Sequence, residues 1–254
     1  YLSRDARMCG VPYGTVDVDR LLSSLTLVET AGGLEVGVQE KGVSAVESLL
    51  FAKYQMYRNV YWHHAVRSAT CMFKRAVRGA LARGSVAMEW IADATDDGLM
   101  EVLITRDGSV LASALRARRL YKRALDLPAS DVSADVQPWV TDDPALLERV
   151  EDALAGRVGL AAGDLLIDFP ARSSMLAVDL PLRTRDGRVE RLTDAGRAGQ
   201  LGLPRVADEL YRSARRLRVF VAAATSRPLN GLLELLTLPA GEVERRLAGE
   251  VSLV

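Results

Sequence analysis

From Ser44 to Arg83 apolar residues recur at helical spacing: Val46, Leu49, Leu50, Phe51, Tyr54, Tyr57 and Tyr61, then Val66, Ala69, Met72, Phe73, Val77 and Leu81. The stretch has no proline and its one glycine is Gly79. About 40 residues is long for a single globular helix. Two helices are therefore predicted, bending near Tyr61–His64, where bulky aromatics crowd against both histidines of the chain. Ser44, with Glu47 three residues on, has the spacing of a capping box.

Around this pair the pattern changes repeatedly. Tyr1–Cys9 reads as the tail of a helix stopped at Gly10. Asp17 or Asp19 can cap a short helix through Ser24. LTLVET-AGG-LEVGVQ alternates about a glycine turn, which predicts a β-hairpin over Leu25–Gln39. Ser85–Arg119 reads as further helices, broken near Asp96-Asp97-Gly98 and Asp107-Gly108. A stretch rich in Pro, Ser, Asp and Ala, Leu127–Pro138, is the expected boundary between a first domain (1–127) and a C-terminal α+β lobe (128–254). In that lobe Asp142 or Asp143 with Pro144 opens a helix to about Ala155. Leu165–Phe169 and Leu176–Arg183 read as strands, and Asp186-Gly187 as a hairpin turn. Pro204–Arg216 reads as a helix, Leu217–Ala222 as a strand, and Pro228–Leu236 and Gly241–Leu247 as helices. The class is α+β, predominantly α.

Composition narrows the function classes. The 254 residues are 49% apolar, ample for a packed core. Lys+Arg and Asp+Glu are both 33, so net charge gives no steering toward nucleic acid, and no nucleic-acid module signature appears. The longest apolar runs fall far short of a membrane span, so no membrane partner is expected. Cys9 and Cys71 show neither metal spacing nor a disulfide framework, and a reducing cytoplasm is the expected setting. No initiator methionine is present and Tyr1 opens inside a helical pattern, so an N-terminal part is expected ahead of it.

Two features hold candidate chemistry. Tyr54, Tyr57 and Tyr61 fall at i, i+3 and i+7 and share a face carrying hydroxyls above an apolar body, near Lys53, Arg58 and His63. A sugar or phosphate ligand suits that face, and so does a core stripe whose hydroxyls find internal partners. Arg116–Arg123 holds five basic residues. It reads as a helix end running into an exposed strand, or as a contact for an anionic effector nucleotide or another subunit. A second cluster, Arg212, Arg215, Arg216 and Arg218, reads as a solvated helix end. No P-loop, dinucleotide fingerprint or nucleophile elbow is present. His63 and His64 are adjacent on a helix and cannot chelate one ion.

The blocks Tyr1-Leu-Ser-Arg-Asp-Ala6 and Lys53-Tyr-Gln-Met-Tyr-Arg-Asn-Val-Tyr-Trp-His-His64, about 50 residues apart, resemble the second half of an HD-domain nucleotide phosphohydrolase. The family likeness is to bacterial HD-family dNTP triphosphohydrolases and, more distantly, to eukaryotic SAM-and-HD-domain dNTPases. There a Tyr-x-x-Arg-Asp block follows the last metal-binding aspartate, and a later helix carries R/K-x-x-x-[HY]-x-x-x-Tyr-x-His. The resemblance implies a multihelical second half of an HD-type catalytic domain followed by a small α+β lobe. It implies a divalent metal ion held by ligands outside this chain, none of the His…His-Asp…Asp set being present, and a deoxynucleoside triphosphate substrate. It implies Tyr1 packing on the sugar, Asp5 accepting the 3′-hydroxyl, Tyr61 packing against C2′, and Lys53 and His63 facing phosphates, with Tyr57 beside them. Lys53 stands where the family often has arginine, and His64 where it often has lysine. A homo-oligomer with an allosteric nucleotide is expected. The competing reading is a non-catalytic regulatory or oligomerisation module that binds an effector nucleotide.

Overall fold

The computed structural model describes residues 1–132, 135–170, 179–192, 213–224 and 228–249. Its elements follow local signals closely. Helix α1 (Leu2–Cys9) stops where Gly10 turns left-handed, at φ 65°. Helix α2 (Val18–Ser24) opens on Asp17, whose carboxylate accepts the Arg20 N–H at 2.9 Å. Strands β1 (Leu25–Thr30) and β2 (Gly33–Gln39) form the predicted hairpin, closed by the Thr30–Gly33 pair. Next come α3 (Val43–Met56), a wide turn over Tyr57–Tyr61, and α4 (His64–Ala82). The predicted bend is thus a real break: the Trp62 N–H reaches back five residues to the Tyr57 carbonyl at 2.7 Å.

The capping box at Ser44 does not form. A 3₁₀ turn over Glu40–Gly42 runs straight into α3, so Gly42 takes the cap position with no side-chain cap and Ser44 lies inside the helix. Helices α5 (Met88–Asp93), α6 (Asp96–Thr105) and α7 (Val110–Arg116) follow. The break expected near Asp96-Asp97-Gly98 falls at Ala94–Thr95, and those three residues form the first turn of α6, which the Thr95 hydroxyl caps by accepting the Gly98 N–H. Then come β3 (Lys122–Pro128), α8 (Trp139–Asp142), α9 (Pro144–Arg157), β4 (Leu165–Asp168), β5 (Leu180–Arg183), β6 (Val189–Leu192), β7 (Arg216–Val221), α10 (Leu232–Leu235) and α11 (Ala240–Leu247). Asp143 caps α9 through the Leu146 N–H, as the Asp-Pro signal predicts. Most of the helix expected over Pro204–Arg216 lies outside the described residues, and Arg216 itself opens β7. The fold is α+β and predominantly helical.

The chain divides into two units, each assembled from separated stretches: Tyr1–His63 with Arg172–Ala214, and His64–Ala171 with Arg215–Val254. The boundary expected after Leu127 falls within β3, where Leu127 and Pro128 pair in register with Leu217 and Arg216 of β7. In the first unit the strand order is β1-β2-β5-β6, with β2 and β5 parallel through Val38–Leu182. The buried stripe of α3, Val43, Val46, Leu50 and Tyr54, packs with Val38, Trp62, Leu182 and Leu192. A Cβ on Gly37 would lie 2.6 Å from the Pro181 carbonyl oxygen, so β5 approaches β2 as closely as it does only over a glycine.

The second unit holds a three-stranded antiparallel sheet, β3-β7-β4, covered on both faces. Leu217, Val219, Val221, Leu165 and Ile167 pack with Leu146, Val150 and Leu154 of α9, and with Leu232, Leu235 and Val243. The opposite face puts Leu166 and Phe220 against Met72 of α4. Two covered faces explain why LLID and LRVFV read as continuous apolar runs rather than alternating ones. Each buried aliphatic or aromatic residue contributes roughly 1.5–3 kcal/mol.

Between α4 and α9 one guanidinium serves three carboxylates: Arg75 lies 2.7 Å from Asp152, 3.2 Å from Glu151 and 3.7 Å from Glu148. Glu151 is the most buried of the three and also accepts the Ile167 N–H at 2.7 Å. Burial outweighs the help from Ile167 and Arg75 and pushes its carboxyl up from 4.5 to about 8. The folded chain therefore holds this proton more tightly than the unfolded chain. The resulting stabilisation is complete below about pH 4.5 and is lost as pH rises through 8. Glu151→Gln should remove that slope, gaining on the order of 3–4 kcal/mol on the wild type between pH 5 and pH 8. Urea unfolding at the two pH values measures it; parallel pH slopes for both proteins would contradict the assignment.

Candidate functional site

The residues singled out in the two sequence blocks converge in the first unit. Leu2 and Ala6 bury one side of α1 against Met56, with Val60 and Tyr61 of the wide turn packed alongside. That packing sets Asp5, on the same helix, within reach of Tyr61. The Tyr61 hydroxyl donates to Asp5 Oδ2 at 2.8 Å, and Arg4 Nε donates to Oδ1 at 2.9 Å. The local Arg4 pairing and the link to the second block therefore exist together. The Tyr1 ring lies 6.4 Å from that of Tyr61, centroid to centroid, and is largely exposed. Tyr57 sits edge-on to Tyr61 at 5.1 Å and to Trp62 at 5.5 Å. Tyr1, Asp5, Tyr57 and Tyr61 thus form one constellation.

Tyr54 does not share that face. It is buried in the core with Val46 and Leu50, and its hydroxyl lies 3.2 Å from Ser213 Oγ and accepts from Arg58 at 3.1 Å. For this tyrosine the core-stripe reading is correct. Tyr54 continues the buried stripe of α3, and the extra residue taken up by the wide turn after it rotates Tyr61 out of the i, i+7 register. Lys53 is half-buried on the last turn of α3, four residues before Tyr57, and burial pulls its ammonium below the usual lysine range. His63 is exposed just past the turn, its N–H donating to the Val60 carbonyl at 3.2 Å.

These contacts set the electrostatics. The hydrogen bond from Tyr61, then that from Arg4, holds the Asp5 carboxyl below the usual aspartate range. Burial, then the bond to Asp5, raises the Tyr61 phenol, which stays a neutral donor. The Tyr1 phenol is raised by burial first, then by the nearby Tyr57 and Asp5. A carboxylate offers about four acceptor positions, so Asp5 can take a further hydroxyl donor. Among the described residues no group of three or more His, Cys, Asp or Glu side chains comes together to hold a metal ion. Among them also, no helix is long and apolar enough to cross a membrane.

The basic stretch Arg116–Arg123 runs from a helix end into a strand: α7 ends at Arg116 and β3 begins at Lys122, with Arg118 left-handed between them at φ 55°. The second cluster is not a solvated helix end. Arg216 and Arg218 lie on β7, and Arg218 is buried, because its strand is the central one of a sheet covered on both faces; Arg212 lies outside the described residues. Sequence patterning found the cluster but not its burial, since an arginine inside an apolar run carries no local mark of what lies across the strand.

A family model described as "HD associated region" matches residues 16–222. The uncharacterized protein MJ1154 of Methanocaldococcus jannaschii is 34% identical over 140 residues, which is 55% of this chain and 31% of that protein. The uncharacterized protein YwfO of Bacillus subtilis is 36% identical over 80 residues, 32% of this chain and 18% of that one. The matched stretches thus span less than a third of these curated relatives. A crystal structure of a phosphohydrolase from Bacteroides thetaiotaomicron aligns with 87% of this chain and 59% of its own, at 15% identity and a TM-score of 0.48.

The Asp5–Tyr61 bond has a direct test. Tyr61→Phe keeps the ring but removes the donor, so the Asp5 carboxyl should rise toward its ordinary value of 3.8. A ¹³C titration of the aspartate carboxyl signals reads this. An unchanged Asp5 titration would mean that the phenol does not donate to it.

Proposed function

This chain belongs to the HD associated region family, and on that premise we propose that it supplies the sugar and phosphate contacts of a metal-dependent phosphohydrolase acting on nucleotides. The substrate is a deoxynucleoside triphosphate, released as deoxynucleoside and triphosphate. The observation that carries the proposal is the 2.8 Å bond between Tyr61 and Asp5, which joins the two resembling sequence blocks in one constellation. In this reading the exposed Tyr1 ring stacks along the sugar. Asp5 accepts the 3′-hydroxyl while Tyr61 holds the carboxylate in place. The Tyr61 ring closes the space at C2′. Lys53 and His63 face the phosphates, Lys53 as a point charge without a bidentate fork, and Tyr57 braces Tyr61 edge-on.

The divalent ion that such chemistry uses would neutralise phosphate charge and activate water. The described side chains do not fit it, since no ligand group of three forms among them. In this reading its ligands come from outside this chain, and the described residues bind and orient the substrate. The assembled enzyme works as a homo-oligomer, an allosteric nucleotide setting its activity.

Sugar discrimination tests the reading in the whole enzyme with saturating metal. If Tyr61 packs on C2′, rejection of a ribonucleotide is steric. Tyr61→Ala should then lower kcat/KM for the deoxynucleotide more than for the ribonucleotide, so their ratio shrinks. An apolar contact of this kind discriminates by about 10–200-fold, which bounds the loss. Tyr61→Phe should keep the ratio, because the ring remains. Asp5→Asn should weaken both substrates alike, since both carry the 3′-hydroxyl. If Tyr61→Ala keeps the wild-type ratio, Tyr61 is a packing residue and the sugar-site assignment fails.

A further inference from the structure

The sheet of the second unit carries a row of charges in strict register: Asp126 of β3 and Asp168 of β4 both stand directly across from Arg218 of β7. Across such a row Arg218 would be expected to bond one carboxylate or both. It does neither, because both are already engaged. Arg67 of α4 grips Asp168 in a fork, with Nε at 2.9 and 3.2 Å from its two oxygens and Nη2 at 2.5 Å. Asp126 accepts from Arg216 Nε at 2.5 Å and from Arg123 Nη1 at 2.6 Å. Arg218 is left 3.4 Å from Asp126 and 3.8 Å from Asp168, with its Nε and Nη1 buried and unbonded. Its side chain is 5% exposed.

A buried guanidinium without hydrogen-bond acceptors is expensive, and arginine does not escape the cost by deprotonating. Among the described residues four guanidiniums, on Arg67, Arg123, Arg216 and Arg218, stand here against two carboxylates. Among these residues the row therefore carries an excess of two positive charges and leaves Arg218 Nε and Nη1 without acceptors. Exposure rises along it, from 5% at Arg218 to 34% at Arg216 and 43% at Arg123, so the acceptor can arrive from the β3 side.

We propose that this row binds a phosphate group, with Arg218, Arg216 and Arg123 as its donors. A phosphate dianion matches the excess charge, and its several oxygens match the forked donors. A carboxylate would leave one charge unbalanced. The site uses residues of the second unit alone and does not rest on the sugar-site reading.

Calorimetric titration of the full chain with inorganic phosphate, at constant ionic strength in a chloride buffer, tests this. The wild type should bind phosphate saturably and acetate at least tenfold more weakly. Arg218→Met should abolish the binding. Arg123→Ala, at a side chain 43% exposed, should weaken it by about tenfold. A parallel titration with a nucleoside triphosphate and its nucleoside identifies the source. Tenfold tighter binding of the triphosphate, lost in Arg218→Met, makes the phosphate a nucleotide's. Equal affinity makes it free phosphate, and either supports the site. No saturable phosphate binding, acetate binding as well as phosphate, or undiminished affinity in Arg218→Met would overturn the proposal. Should Arg218→Met not fold, undiminished affinity in Arg123→Ala overturns it as well.

Discussion

One backbone hydrogen bond, from the Trp62 N–H to the Tyr57 carbonyl at 2.7 Å, governs what the first unit can present. An ordinary helix would carry the line of Tyr54, Tyr57 and Tyr61 along one face. The five-residue reach widens the turn and brings Tyr61 over α1 and onto Asp5, while Tyr54, upstream of it, stays in the buried stripe of α3 beside Ser213. It also leaves Tyr57 as a brace, edge-on to the residues on either side of the break. Such wide turns cost hydrogen-bond geometry and persist where something else repays them. Here the packing of Met56 with Leu2 and Ala6 fixes the two segments that the turn joins.

What was legible in the sequence was mostly local. Asp17 and Asp143 cap the helices their spacing predicts, Gly10 stops α1, and the glycine turn closes the β1–β2 hairpin, because each signal acts over three or four residues. The failures need long-range knowledge. Ser44 lost its capping role to a 3₁₀ turn that continues into α3. The parallel pairing of Val38 with Leu182, and the division of the chain into interleaved units, have no short-range mark. For the site, nothing local links Asp5 with Tyr61; their juxtaposition was readable only through resemblance to a family.

Charge is placed in this protein by burial rather than by number. The chain balances its acids and bases overall, yet the second unit separates them into two unequal groups. Around Arg75 acids outnumber bases, and the most buried, Glu151, keeps its proton. Around Arg218 bases outnumber acids, and arginine has no comparable way to become neutral. A surplus of carboxylates can therefore be settled within the protein, whereas a surplus of guanidiniums cannot.

The interleaving of the two units also has a consequence for how the chain is made. Leu182, Leu192 and Ala214 complete the first unit's core around Val38, Val46 and Trp62. On the ribosome those residues emerge only after the whole stretch from His64 to Ala171. During that interval α3 and the β1–β2 hairpin lack part of their apolar cover, and β2 lacks its parallel neighbour. Closing so long a loop is slow compared with forming local contacts. An unpaired strand edge invites association meanwhile. Nascent chains stalled between the two halves of this unit are where a chaperone would find most to hold.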